Sequence, residues 1–449
     1  MEKNMTTGNP MKLILWFSLP VLIGNIFQQF YNMVDTIIVG QFLGEDALAA
    51  VGSTGSILFF IMYFAIGISQ GFGVMVAQAY GSKDFKRLKH YVALSLMLTL
   101  VISVIMTIAT VTTSRQILIL MKTPANILDM ADAYLYIYFW GIPVVMLYNT
   151  VSSILRGIGD SKTPLYFLIF SSVLNIILDY SFIRFLHMGT EGAALATVIA
   201  QCIAAVVSIV YMFYKFEILR TSREDYYFDA KSSWDLLRIG IPMALNYSIT
   251  AFGTMLLQTA VNIFGSSVVA AFTAGIKVEQ LATQTMPSLA TTMSTYCGQN
   301  LGAEEYDRIY DGMHKAFYIS LVLTGLTALI CAYGGKYLIR LFLSEPSEEI
   351  ISYATQYLTT ISVFFFFLAI LYLYRTALQG LGRGLIPMLG GVFELIGRVV
   401  VLAFFLDVGG YTAVCLASPA AWIFAGILNM ADYLLWKRRT KKKLTQISL

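Results

Sequence analysis

Charge is the scarcest commodity in this chain. Lys, Arg, Asp and Glu make up 12% of its 449 residues, about half of the ~25% usual in soluble domains. A water-solvated surface cannot be built from so little, which excludes a soluble globular protein and a charged disordered one. Histidine is nearly absent, and His90, His187 and His314 fall near the ends of apolar runs, poor positions for a general base. The four cysteines, Cys202, Cys297, Cys331 and Cys415, are scattered through apolar stretches. They read as small core residues, with neither a disulfide framework nor a structural metal site. The phosphate-cradling pattern G-x-x-x-x-G-K-[ST] is missing, which argues against an ATP-driven pump. A G-x-S-x-G pattern, GISQG at 67–71, lies inside an apolar run, where a nucleophile elbow has no strand to stand on and where Gly67 and Gly71 form a G-x-x-x-G packing surface. No catalytic residue and no cofactor is expected.

What the chain has instead is apolar length. Hydrophobic residues reach 57%, with 30 Phe, 27 Tyr and 20 Met, and the mean hydropathy is +0.71. About 20 apolar residues span the ~30 Å hydrocarbon core as a helix. Twelve segments meet that length, near 13–40, 51–80, 91–113, 130–155, 164–185, 190–214, 236–264, 268–298, 314–335, 350–378, 386–406 and 410–436. None alternates apolar and polar residues as barrel strands do, and the first is too long for a cleaved signal peptide. The expected fold is an all-α integral membrane protein with twelve transmembrane helices.

Most Lys and Arg residues, 23 of 30, fall at the chain ends and in the even-numbered gaps, from Lys3 and Lys12 through Arg375 and Arg383 to the tail Lys437–Lys443. The positive-inside rule then predicts a multi-pass protein of the cell membrane with both termini cytoplasmic. The basic tail suits anionic lipid better than nucleic acid.

The polar connector at 215–235 divides the chain into a six-helix lobe (1–214) and a second (236–436), followed by the tail (437–449). Pro20 answers Pro242, AQAYGSKDFKR (77–87) answers GQNLGAEEYDR (298–308), and RGIGDSKTP (156–164) answers QGLGRGLIP (379–387). Six is even, so the halves form a parallel repeat about an axis along the membrane normal, an organisation of transporters that rock two bundles about a central site. The two prolines are candidate hinges.

Ionisable residues inside spans are costly and therefore candidates for function. Asp35 and Asp179 lie at matching depths, each some five residues from the outer end of its span. Asn175 is one turn before Asp179, and Thr197 lies at a similar level in the returning helix. Two carboxylates, an amide and a hydroxyl suit a small hard cation or a shared proton. In the second half Glu394 and Arg398, at i,i+4, are expected to pair. Lys277 and Glu279 point to different sides, with Glu279 a candidate partner for a cationic substrate.

The segments LPVLIGNIFQQFYNMVDTIIVGQFLG (19–44), RGIGDSKTP, NIILD (175–179) and GAALAT (192–197) occur in an order that resembles the multidrug and toxin extrusion family of secondary transporters. That resemblance covers nearly the whole chain. It implies two lobes in a V that open alternately, and export of amphiphilic organic cations by a monomer in exchange for Na+ or H+. It also implies a cation site at Asp35, Asn175, Asp179 and Thr197. The acidic residue that some branches carry in the seventh span is missing, with Asn246 and Gln258 the most polar candidates there. A lipid-linked oligosaccharide flippase or a metabolite exporter of related architecture is the alternative.

Overall fold

In the computed structural model, residues 4–340 and 347–447 are described. Lys3 and the last two residues of the tail, named above, lie outside them. Every regular element among the described residues is helical. The order is α1 (Pro10–Leu43), α2 (Glu45–Gly81), α3 (Phe85–Leu120), α4 (Ala125–Trp140), α5 (Ile142–Gly157), α6 (Lys162–Arg184) and α7 (Thr190–Lys215). After two short 3-10 turns come α8 (Ala230–Asn262), α9 (Ser266–Ala282), α10 (Thr285–Gly302), α11 (Tyr306–Ile339), α12 (Glu348–Gly380), α13 (Leu385–Gly409) and α14 (Tyr411–Ile447).

Ten of these helices are each long and apolar enough to cross a membrane. The pair α4 and α5, bent by 48° at Gly141, qualifies together as an eleventh. Pro143 in the first turn of α5 withholds a backbone N–H there. The eighth expected span is delivered as α9 and α10, on either side of Thr283 and Gln284. Side chains on α3 such as Leu100, Val101, Val104, Ile105 and Ile108 are exposed. Their i,i+1,i+4,i+5,i+8 spacing marks a stripe suited to lipid. Cys202 is exposed on α7 while the other three cysteines are buried, correcting its expected place in the core. On a membrane helix a small apolar side chain is as stable facing lipid as facing protein.

The chain forms two compact units, one of Ile23–Ala244 and the other of Met5–Leu22 with Leu245–Leu449. In the first, α2 packs on α5 and α3, α4 on α7, and α6 on α7, around buried Phe72, Tyr91, Phe139 and Leu155. The connector belongs to this unit. His90 Nδ1 lies 3.0 Å from the Asp225 carbonyl, which requires the proton on that nitrogen, and the His90 ring stacks on Tyr227 with centroids 4.0 Å apart. The Arg220 guanidinium donates to the carbonyls of Phe213 and Tyr214, closing the last turn of α7. Asp229, just before α8, accepts from the Ser232 N–H at 2.8 Å. The Ser232 hydrogen bonds hold the Asp229 carboxyl below its ordinary value of 3.8. This support for the start of α8 is therefore present at neutral pH and lost as the pH falls through the acid range.

In the second unit α14 packs on α12 and α13, and α12 also on α9, α10 and α11. Its N-terminal segment is pinned by Arg308, whose Nη2 donates to the Met5 carbonyl at 3.1 Å and whose Nη1 donates to the Gly8 carbonyl at 3.0 Å. The basic tail continues α14 as helix, as Lys and Arg, good helix formers, allow. The Lys437 and Lys441 ammonium groups, one turn apart, lie 5.0 and 5.3 Å from the Tyr310 ring centre.

The repeat is visible in the local backbone. Lys83 and Glu304, two non-glycine residues, both adopt φ 58°, and Gly44 and Gly265 both adopt φ 88°. Gly159 and Gly382 follow at 90° and 75°, and His187 and Gly410 both stand at 53°. Each pair is separated by the interval of the sequence matches. Helix contacts recur as well. A Cβ on Gly157 would stand 2.8 Å from the Gly73 carbonyl oxygen, where α5 meets α2, and one on Gly380 would strike the Ser294 carbonyl, where α12 meets α10.

The GISQG segment lies inside α2. The Ser69 hydroxyl donates to the Ala65 carbonyl at 3.1 Å and accepts from Thr150 at 3.1 Å. A Cβ on Gly67 would meet the Ala244 Cα at 2.5 Å, and one on Gly71 the Gly240 backbone nitrogen at 2.5 Å, so the glycines let two backbones touch. Gly71→Leu is expected to lower stability by about 1–3 kcal/mol through overpacking, readable as a reduced melting temperature in detergent.

Candidate functional site

Three helices of the first unit bring the acidic residues together. Asp35 lies eight residues before the end of α1, Asp179 five before the end of α6, and Thr197 seven after the start of α7. The Asp35 carboxyl faces that of Asp179 within hydrogen-bonding reach. Asn175 is 1% exposed, Asp179 0% and Thr197 7%. The Asn175 amide donates to the Thr197 hydroxyl at 3.2 Å, which in turn donates to the Ala193 carbonyl at 3.1 Å. That leaves the Asn175 Oδ1 and both Asp179 oxygens buried with no donor among the described residues. Thr197 thus orients the amide so that its oxygen, not its nitrogen, is free.

Three tyrosines that sequence reasoning missed surround this cluster. The Tyr31 hydroxyl lies against Thr197 and within electrostatic reach of both carboxyls. The Tyr134 and Tyr138 hydroxyls, one turn apart on α4, lie within reach of Asp35. Tyr31 stands four residues before Asp35, so helical spacing could have found it. The α4 pair had no such signal. Ile38, Val39, Ile183, Ala193 and Ala194 form the apolar packing alongside.

Two carboxyl groups that face each other in a buried site repel when both are ionised, and a cation or a shared proton between them removes that repulsion. Asp35, Asp179 and the Asn175 oxygen present hard oxygen donors to Na+. The same pair can instead hold one proton.

The second unit carries a different polar cluster. Glu394 accepts from Arg375 Nη1 at 3.1 Å, and their side chains are 3% and 7% exposed. Its contact with Arg398 is longer, 3.8 Å. The expected i,i+4 pair is therefore present but secondary. Arg375, counted by sequence among the basic residues of a gap, is a buried residue within α12; the acid on α13 makes that burial tolerable, and the apolar run around it hid its role. Glu279 accepts from the Tyr357 hydroxyl at 2.5 Å and lies near Arg398. Lys277 is exposed and enters none of these contacts. Asn246 donates to the Pro387 carbonyl at 2.8 Å, and Gln258 bonds Asn262 on the exposed face of α8. No pair of facing carboxyls recurs among these residues.

Comparison with known proteins converges on one family. Residues 20–181 and 242–405 match the MatE family model, so its two copies start at the two hinge-candidate prolines. The chain is 30% identical to a probable multidrug resistance protein of Bacillus subtilis, YoeA, over 99% of both chains. It is also 30% identical to a second from that organism, YpnP, over 82% of each. An FAD transporter of Shewanella oneidensis is 25% identical, over 93% of this chain and 92% of that one. A crystal structure of a MATE protein in complex with MaL6 superposes with a TM-score of 0.90, at 24% identity and 99% coverage of both chains, which shows the shared fold.

Proposed function

The chain belongs to the MatE family of multidrug and toxin extrusion transporters, and on that premise we propose that it is a secondary antiporter exporting amphiphilic organic cations. Na+ or H+ enters in exchange. The observation that carries this reading is the pair of facing carboxyls, Asp35 and Asp179, with both Asp179 oxygens buried and lacking donors among the described residues. Such a site takes up a cation when exposed to one side of the membrane and must release it on the other. It sits in a multi-pass protein of the cell membrane with both termini cytoplasmic and functions in a monomer. Glu279, bonded to Tyr357, is the first candidate to face a cationic substrate.

Coupling needs the cation to bind the two states of the transporter with different affinity. The division between the compact units falls after Leu22 in α1 and after Ala244 in α8, in each case two residues past a proline within the helix. Each proline removes one backbone hydrogen bond from its helix, which supports Pro20 and Pro242 as the hinges. Pro20→Ala and Pro242→Ala are expected to slow export several-fold with substrate affinity unchanged, measured as initial efflux rates beside a binding titration. Full rates in both variants remove the hinge role.

The governing experiment is export of a fluorescent organic cation from proteoliposomes under imposed Na+ and H+ gradients applied separately. One gradient should drive transport and the other should not. Export indifferent to both overturns antiport. Metabolite export is the second reading, favoured by the relative named as an FAD transporter. The same vesicles, loaded with FAD, separate the two.

A further inference from the structure

The last helix carries an exposed apolar face straight into the basic tail. On α14, Phe424, Ile427, Leu434 and Leu435 are 52%, 51%, 50% and 50% exposed, and their spacing places them on one face of the helix. Arg438, Arg439 and Lys442, all exposed, extend that face into the next two turns. Buried Ala425, Asn429 and Tyr433 occupy the opposite side, and α14 packs on α12 and α13. The exposed face thus passes from hydrocarbon to guanidinium between Leu435 and Arg438, within one turn. The cations of the tail divide by direction. Lys437 and Lys441 turn toward α11, over the Tyr310 ring. Arg438, Arg439 and Lys442 enter no ion pair or ring contact among the described residues. No acid follows Asp432 in the chain, and Asp432 itself accepts from Arg383 at 2.7 and 3.0 Å. On α11, Asp311 is engaged by Lys315 at 2.6 Å. The described residues therefore offer these three cations no counter-charge.

A face that runs apolar and then abruptly basic matches a molecule built the same way, hydrocarbon chains ending in a phosphate. We propose that this face of α14 binds an anionic phospholipid, with its acyl chains along residues 424–435 and its phosphate at Arg438, Arg439 and Lys442. A guanidinium holds a phosphate through two parallel N–H bonds, and long basic side chains on a lipid-facing helix reach the headgroup level. A zwitterionic headgroup carries its own cation, which three unpaired cations repel. An anionic headgroup carries none, so the face selects by headgroup charge. Lys437 and Lys441 stay outside the contact, because the Tyr310 ring holds them to α11. The lipid is a ligand of the tail and not a transported substrate, so the assignment stands independently of antiport.

The test is native mass spectrometry of the purified full chain in detergent, titrated with phosphatidylglycerol or with phosphatidylcholine. The wild type binds phosphatidylglycerol the more tightly. The triple variant Arg438→Gln, Arg439→Gln, Lys442→Gln loses about tenfold in phosphatidylglycerol affinity and keeps its affinity for phosphatidylcholine. A second triple variant, Lys437→Gln, Lys441→Gln, Lys443→Gln, removes the same charge off that face and retains most of the preference. Equal losses in the two variants would show that net charge alone acts and would overturn the assignment, as would a wild type that binds both lipids alike. Displacement of phosphatidylglycerol by an equal concentration of soluble glycerol 3-phosphate would overturn the lipid as the source of the phosphate. Melting curves establish that each variant is folded. The double variant Arg438→Lys, Arg439→Lys keeps the charge without the fork, and a partial loss of the preference there supports a bound phosphate.

Discussion

Asp179→Asn is expected to reduce gradient-driven export by about a hundredfold while leaving the protein at least as heat-stable as the wild type. The two effects separate because of what surrounds the carboxyl. Both its oxygens are buried without a well-placed donor among the described residues, the Asn175 amide and the Asp35 carboxyl lying within reach, so an amide of the same shape sacrifices little. It also removes one of two like charges held in contact, which relieves repulsion. What the amide cannot do is take up Na+ or a proton with the affinity of a carboxylate pair. Asp35→Asn should behave alike, since the site needs both acids. A second measurement sharpens the result. A ligand that binds only the folded protein raises its stability by about 2.7 kcal/mol at a hundred times its dissociation constant. Titrating the coupling ion should therefore raise the melting temperature of the wild type and leave both variants unmoved. Wild-type export by either variant, with its gradient dependence intact, would sink the assignment.

Much of this site was legible in the sequence because intramembrane charge is so rare. Asp35 and Asp179 stand out in apolar runs, and counting residues from the ends of their helices is enough to set them at one level. Asn175 follows from the i,i+4 rule. Tyr134 and Tyr138 were not legible, because tyrosine is common in this chain and only the packing of α4 shows which hydroxyls reach Asp35. The ten helices long and apolar enough to cross a membrane singly were legible from apolar length alone. The break between α9 and α10 was not, since Thr283 and Gln284 interrupt the helix without interrupting the hydropathy in any marked way. Arg375 was misplaced for a related reason. It stands five residues from the end of α12, near enough to a gap to look like a loop residue, and only Glu394 on a neighbouring helix shows why it is buried. Periodicity locates elements and faces, but the identity of a partner on another helix is a tertiary fact.

That buried pair supports the second large expectation, on stability. Glu394→Gln should cost about 3–5 kcal/mol, because it strands a buried guanidinium without a counter-charge. Its size exceeds that of a surface ion pair, about 0–1 kcal/mol, since the two side chains are 3% and 7% exposed. Arg375→Met should cost less. It leaves Glu394 beside Arg398, whose Nη2 at 3.8 Å needs only a small movement to take up the vacated oxygen, and Met fills the stem volume against Tyr372, over whose ring the Arg375 guanidinium now lies at 4.9 Å. The asymmetry distinguishes an ion triad from an isolated pair, in which either truncation strands one charge. Thermal or denaturant unfolding of the two single variants and of the double variant completes the cycle. A double variant more stable than Glu394→Gln alone shows that the stranded Arg375, and not lost packing, is what the single change exposes. Equal losses in the two single variants would instead mean that Arg398 is held too firmly to respond, by Glu279 or by the backbone beside Gly253.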